Sequence, residues 1–210
     1  MSLRLGDEAP NFVADTTDGQ IDFHQWKDGS WAVLFSHPAD FTPVCTTELG
    51  RTAALNGSFA ERNTKVIAVS VDSLADHQGW APDIGDATGT ALNFPIIADP
   101  ERNVSELYDM IHPGAGDTST VRSVFVIDPA NKVRVTLTYP KSTGRNFDEI
   151  LRVIDSMQLT DAHSVSTPVD WNKGDRVIAA PTLSTDEVRA KFANVEEVKP
   201  YLRFVDDPQG

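Results

Sequence analysis

The sequence predicts an α/β protein with a mixed central sheet between layers of helices. Four short apolar runs rich in β-branched residues, at 31–35, 66–71, 95–98 and 123–127, are typical of strands buried on both faces. A fifth run, 133–138, alternates apolar and polar residues, which indicates a strand with one wetter face. Because helical patterns lie between these strands, we expect a three-layer unit.

Local signals support the individual elements. The dipeptide Ala130-Asn131 separates the last two strands and predicts a hairpin turn. Asn146 precedes an apolar stripe of helical spacing and is a suitable N-cap. The predicted helices cover 46–61, 74–80, 104–108 and 147–159.

The pattern changes near residue 160. Residues 164–175 are polar and rich in turn-forming residues, which predicts a linker. Beyond it we expect one short strand at 176–178 and one short helix at 185–193. These segments hold too few apolar residues for a core of their own, so the tail is expected to pack against a larger body. We therefore predict a main domain over 1–160 and a C-terminal arm or small subdomain over 161–210.

Composition limits the partners and the compartment. The net charge of −13, from 31 acidic and 18 basic residues, argues against nucleic acids and anionic membrane surfaces as partners. No apolar stretch approaches the ~18 residues of a membrane span, and the first residues lack the apolar segment of a signal peptide. A single thiol suits a reducing compartment, and we predict the cytoplasm.

The one cysteine, Cys45, follows a predicted strand and falls in the first turn of a predicted helix. Thr42 followed by Pro43 is a strong helix-start signal, because threonine is a good N-cap and proline is favoured at the first helical position. Cys45 is then at position N3, near unpaired backbone N–H groups and the positive end of the helix dipole. Both effects favour the thiolate.

Three interpretations of this thiol are open from the residues alone. It can be a small buried hydrophobe. It can be the nucleophile of a hydrolase, which needs a histidine base, but spacing does not select one of the five histidines. It can reduce peroxides, which requires a thiolate, a donor such as the Thr42 hydroxyl and an arginine to stabilise the leaving oxygen. The five histidines are His24, His37, His77, His112 and His163.

The stretch 35–51, with its P-x-x-x-T-x-x-C core, closely resembles the peroxidatic site of peroxiredoxins with one catalytic cysteine. Other parts of the same family are similar to residues 6–12, 67–73 and 95–99, and to 139–140 together with 143–152. Residues 167–171 resemble the start of the extended C-terminal region of this subgroup. The resemblance implies a thioredoxin-like fold over 1–160 and a dimerisation arm over 161–210.

The resemblance also implies residue roles. Cys45 would be the peroxidatic nucleophile, Thr42 would hydrogen-bond the peroxide, and Pro38 would shield the sulfur from water. Arg122, at the start of the predicted strand 123–127, would activate the thiolate and hold the substrate.

Three further residues are implied to support the site. Glu48 and Arg145 would orient Arg122, and His37 would lie beside the thiol. The implied activity is reduction of hydrogen peroxide and organic hydroperoxides through a cysteine sulfenic acid. Because no second cysteine exists, an external thiol or another small reductant would restore Cys45. We expect no cofactor and no metal, and a homodimer that can form larger rings.

Two other functions are alternatives to this one. Some relatives are described as phospholipases, and Ser30 and His24 align with their serine and histidine, but Ala130 stands where the aspartate is expected. The glycine two residues after the serine is also missing, so the tight turn is not supported. A second alternative is an oligomeric chaperone or binding module of thioredoxin-like fold, in which the thiol is incidental.

Overall fold

The computed structural model describes residues 3–210 and contains a large mixed sheet and a small second sheet. The described chain divides into two compact units, one ending at Phe147 and the other formed by Asp148–Gly210. The strands of the first unit are β1 (Val13–Thr16), β2 (Gly19–Asp22), β3 (Trp31–Ser36), β4 (Thr64–Ser70), β5 (Ile96–Ala98), β6 (Arg122–Ile127) and β7 (Val133–Tyr139). Its helices are α1 (Phe23–Lys27), α2 (Pro43–Ala60), α3 (Leu74–Thr88), α4 (Asn103–Leu107) and a 3₁₀ turn at Pro113–Ala115.

The large sheet has the strand order β2-β1-β5-β4-β3-β6-β7. Strands β3, β4 and β5 are parallel, whereas β6 runs antiparallel to β3, with Phe35 opposite Val124. The start of β6 therefore lies beside the end of β3, from which the chain enters α2. This arrangement brings Arg122, the first residue of β6, towards the start of α2.

The apolar runs form the sheet because both of its faces are covered. One face contributes Leu34, Ile67, Val69 and Phe125 to a core that also contains Tyr108. Helix α2 packs against β4 and α3. The hairpin between β6 and β7 turns at Asn131, which takes a left-handed conformation with φ 61°. The predicted mixed sheet and its hairpin are confirmed.

The first unit also departs from expectation. Strands β1 and β2 and helix α1 were not predicted. Helix α3 was expected to end at residue 80 but continues through Pro82 to Thr88. A capping box between Ser73 and Asp76 begins it, and Gly89 ends it with φ 75°. The apolar spacing weakens after Trp80, which is why the sequence pattern ended the helix too early.

The second unit has a core of its own. It comprises the rest of α5 (Phe147–Ala162), α6 (Thr185–Lys191) and a sheet of order β10-β11-β9-β8. Trp171, Val177, Val188 and Val205 are buried together in it. The segment 164–175, expected to be a linker, contributes Val165 and Trp171 to this core, and the residues beyond it pack with Leu159 of α5 and do not form a core alone. The strands are β8 (Val165–Ser166), β9 (Val177–Ala179), β10 (Glu196–Lys199) and β11 (Leu202–Val205).

The predicted domain limit at residues 160 and 161 falls in the last turn of α5, whereas the compact units divide at the start of that helix. The assignment of 161–210 as a dimerisation arm stays a prediction. Among the described residues, no helix has both the length and the apolar character that crossing a membrane requires.

Candidate active site

Cys45 lies at the amino end of α2, as the sequence predicts. Thr42 is the N-cap in an extended conformation, Pro43 is the first helical residue and Cys45 is the third. The thiol is free and its residue is only 1% exposed. The sulfur therefore lies in a sheltered position at the end of the helix that favours negative charge.

Among the described residues, Arg122 is the cation in hydrogen-bond contact with this sulfur. Its Nη1 donates to Cys45 Sγ over 3.4 Å and to Glu48 Oε2 over 2.6 Å. Its Nε and Nη2 both donate to the backbone oxygen of Lys141, over 2.9 and 2.6 Å. The guanidinium is thus fixed on two sides, with one edge directed at the thiol.

Glu48 joins two arginines beside the thiol. Arg145 donates to Glu48 Oε1 from its backbone N over 2.8 Å and from Nε over 2.9 Å, and to Oε2 from Nη2 over 2.6 Å. Burial by itself would raise the pKa of Glu48, but the hydrogen bonds and charge of Arg145, with the charge of Arg122, hold that pKa below its usual value. A carboxylate with two buried guanidinium partners stays ionised.

Arg145 is anchored to the sheet as well as to Glu48. Its Nη1 donates to the backbone oxygens of Ser36 over 2.8 Å and Ser123 over 3.0 Å. These oxygens belong to β3 and β6, so the network fixes the start of α2 relative to both strands. The structure thereby joins Cys45, Glu48, Arg122 and Arg145, as the sequence predicts.

The Thr42 hydroxyl differs from expectation. Its side chain makes no cap hydrogen bond, and Oγ1 donates to the backbone oxygen of Ala39 over 2.8 Å. The turn at 39–42 brings that oxygen within reach of the hydroxyl. The hydroxyl proton is thus directed at Ala39, while the lone pairs of the hydroxyl remain able to accept. The hydrogen bond from Thr42 to the peroxide stays a prediction.

His37 and Pro38 are both buried at the end of β3. His37 Nε2 lies 2.7 Å from Asp40 Oδ1, and His77 Nδ1 lies 2.5 Å from Asp40 Oδ2. Burial lowers the pKa of His37, although Asp40 opposes this. Burial acts to raise the pKa of Asp40, but the hydrogen bonds from both histidines outweigh it and lower that pKa.

Within the described residues, this cluster is the group whose donor atoms converge as metal ligands do, all within 4.8 Å of one another. The separations of 2.7 and 2.5 Å are those of hydrogen bonds. Two ligands of one tetrahedral zinc ion stand about 3.3 Å apart. Shared protons, rather than a metal, fit these separations.

Sequence reasoning missed three contributors to the site. His77 comes from α3 and meets Asp40 because α3 packs against α2 and β5, so no local spacing indicates the pair. Asp40 stood near Cys45 in the sequence without an assigned role. Lys141 contributes a backbone oxygen, which leaves no side-chain signal to detect.

The residues of the phospholipase alternative are placed differently. Ser30 is buried, and its Oγ donates to the backbone oxygen of Lys27 over 2.5 Å. His24 Nε2 lies 2.8 Å from the backbone oxygen of Ala9. In the part of the chain that the structure describes, the side chains of Ser30 and His24 contact different backbone oxygens, and no hydrogen bond joins them. The serine is therefore not arranged as an activated nucleophile.

Comparisons with known proteins define the class. Residues 5–136 match the AhpC/TSA family, and residues 156–194 match the C-terminal domain of 1-Cys peroxiredoxin. The mitochondrial peroxiredoxin PRX1 of Saccharomyces cerevisiae is 51% identical over 209 residues, covering 96% of this chain and 80% of the yeast protein. Peroxiredoxin-6 of Rattus norvegicus is 49% identical, with 98% of each chain covered.

A solved structure supports the same class. Peroxiredoxin 6 of Arenicola marina is similar over the whole of both chains, with a TM-score of 0.93 at 45% identity. Fold and sequence together define a thiol-dependent peroxidase. The chain belongs to the peroxiredoxins, in the subgroup with one catalytic cysteine. The predicted family, the thioredoxin-like fold and the peroxidase activity are thereby confirmed.

Proposed function

We propose that Cys45 is the peroxidatic nucleophile and that Arg122 is the cation that activates it. The contact between Arg122 Nη1 and Cys45 Sγ, 3.4 Å within a buried network, is the observation that carries this assignment. A guanidinium at this distance stabilises the thiolate and, later, the negative charge on the leaving oxygen. Glu48 and Arg145 act through Arg122 by fixing its orientation.

The reaction transfers one oxygen atom to sulfur. The thiolate of Cys45 attacks one oxygen of a hydroperoxide, an S–O bond forms and the O–O bond breaks. The leaving oxygen departs with the electron pair and takes a proton to become water or an alcohol. Cys45 is oxidised to a sulfenic acid. The lone pairs of Thr42 Oγ1 are available to the hydroperoxide O–H, and Pro38 excludes water from the sulfur.

Recovery of Cys45 needs reductant from outside the chain. An external thiol condenses with the sulfenic acid, which releases water and forms a mixed disulfide, and a second thiol reduces that disulfide. A solved structure of the yeast mitochondrial 1-Cys peroxiredoxin describes a thiol resolving mechanism via glutathione/thioredoxin systems. On this basis we propose a thiol reductant of that kind.

Replacement of the nucleophile tests the proposal. Cys45→Ser should abolish hydrogen peroxide consumption, measured with a thiol reductant in excess, because serine is not ionised at neutral pH. The wild-type thiol should react with peroxide far faster than free cysteine in the same buffer. Residual turnover near wild type in Cys45→Ser, or a wild-type thiol no faster than free cysteine, would refute the assignment.

Assembly and compartment also remain proposals. We expect a homodimer, because β7 stands at one edge of the large sheet, where Val133 pairs with Gly6 and Asp7 but the strand beyond it is open to pairing. Light scattering coupled to gel filtration would measure the mass, and a monomer at micromolar concentration would contradict it. A cytoplasmic location stays a prediction, which a fluorescent fusion can check.

A further inference from the structure

We propose that Asp40 and His77 are positioning residues for peroxide reduction, acting by holding the loop at 38–42 over the amino end of α2. The inference rests on the function proposed for Cys45. It starts from the cluster of His37, Asp40 and His77, whose side chains are buried beside the entry to α2.

The loop contains a residue in a strained backbone conformation. Phe41 takes a left-handed conformation with φ 53°, although it is aromatic and 57% exposed. Such a conformation is strained for a bulky residue and persists only where surrounding contacts impose it. The loop therefore needs contacts that over-determine its shape.

Asp40, immediately before Phe41, supplies most of these contacts. Its two carboxylate oxygens bind His37 and His77, and its backbone N donates to Asp72 Oδ2 over 3.0 Å. Asp72 is in turn held by Ser70 Oγ over 2.7 Å. Asp40 is thus tied to the ends of β3 and β4 and to α3 at once.

His77 is the anchor of this arrangement in α3. Its Nδ1 faces Asp40 Oδ2 and its Nε2 lies 3.1 Å from the backbone oxygen of Ile97. Both ring nitrogens therefore face oxygen atoms. Removal of the Nδ1 contact would release one arm of Asp40, whereas removal of the Nε2 contact would leave that arm in place.

The loop carries groups that the reaction uses. Pro38 is buried at its start, and Thr42 at its end is the N-cap of α2, whose backbone oxygen accepts from Thr46 N over 3.0 Å. Displacement of reacting groups by about 1 Å can cost on the order of a hundredfold in rate. Loosening of Asp40 should therefore slow the attack on peroxide without removing the thiolate, which depends on Arg122 and the helix end.

Two amide variants of His77 separate the contacts. In His77→Asn the side-chain NH₂ replaces Nδ1 and can still donate to Asp40, whereas in His77→Gln it replaces Nε2. We expect His77→Asn to react with hydrogen peroxide within about threefold of wild type. We expect His77→Gln to be about tenfold to a hundredfold slower. Both should be alkylated by iodoacetamide at the wild-type rate, because alkylation reports the thiolate and needs no alignment by the loop.

A control variant shows whether destabilisation alone would slow the reaction with peroxide. Tyr108→Phe removes a buried hydrogen bond of 2.6 Å to the backbone oxygen of Pro10 and serves as the matched control, with an unchanged peroxide rate. If His77→Gln does not fold, Asp40→Asn replaces it, with the same expected loss. Equal peroxide rates in the two His77 variants, or alkylation that falls in parallel, would overturn the positioning proposal. A wild-type thiol that reacts slowly would instead refute the proposed function.

Discussion

Glu48 is the residue whose contacts do most to set the geometry at the thiol. Its two oxygens receive three hydrogen bonds from Arg145 and one from Arg122, which also contacts Cys45. The position of the Arg122 guanidinium therefore depends on the position of the Glu48 carboxylate. A residue that never touches the sulfur therefore controls the cation that does.

Glu48→Gln tests this dependence. The substitution keeps the shape but directs an NH₂ group at guanidinium donors and leaves buried positive charge without its partner. Breaking a buried ion pair costs about 3–5 kcal/mol, and we expect a loss of that order in urea unfolding at neutral pH. Glu61→Gln, at the exposed carboxyl end of α2, is the control and should change stability by less than about 0.5 kcal/mol.

The pH dependence of stability provides a second test of the role of Glu48. Since the folded pKa of Glu48 lies below its ordinary value of 4.5, its contribution is fully present above that value and is lost as the pH falls through the folded pKa. The stability of Glu48→Gln should consequently fall less steeply below about pH 5 than that of wild type. Parallel curves would show that Glu48 is not the group that responds.

At the scale of elements, the crossing of α2 and α3 fixes where the cluster of His37, Asp40 and His77 can form. Gly50 of α2 lies against Thr88 of α3, and a Cβ added there would be 2.4 Å from Thr88 Cγ2. The close approach leaves no room for a larger residue. Two helices from separate parts of the sequence are thereby held in one register.

Gly50→Ala should destabilise the protein by about 1–3 kcal/mol, because overpacking outweighs the gain in helix propensity. Gly57→Ala in the same helix is the matched control, since nothing lies within 4 Å of its added Cβ and it should gain up to about 1 kcal/mol. Thermal unfolding measures both. Stabilisation by Gly50→Ala would contradict this close contact between the helices. So would a stability loss in Gly50→Ala that Thr88→Ala does not reduce.

Elements with strong local signals were predictable, and those that depend on distant partners were not. Continuous apolar runs in the sequence predict strands β3, β4 and β6. Strand β10 is exposed along its whole length and exists because it pairs with β11, so its sequence carries no apolar pattern. At the site, a sequence motif indicates Cys45 and the family resemblance indicates Arg122, whereas the pairing of Asp40 with His77 depends on how α3 packs.

At the scale of the whole molecule, the two compact units have separate cores. Trp171 is 2% exposed in the second unit, and its Nε1 donates to the backbone oxygen of Asp175 over 3.0 Å. It packs with residues of β9, β11 and α6. Local stability can therefore differ between the units.

Trp171→Ala should cost the second unit about 3–5 kcal/mol, because a large buried side chain leaves a cavity. Hydrogen exchange of the full chain should show lost protection in β9 and β11 and unchanged protection in β3 and β4. Val169→Ala, at a position 87% exposed in the same segment, should change neither. Equal loss of protection in both units would show that they unfold together.

The hold of Lys141 on Arg122 has a consequence for tolerance to substitution. The guanidinium is gripped by a main-chain oxygen, which nearly every amino acid at that position would supply equally well. A saturation mutagenesis screen would thus score position 141 as permissive, even though it clamps the arginine closest to the thiol. Where the backbone makes the contact, a position can vary in sequence and still be important for the mechanism.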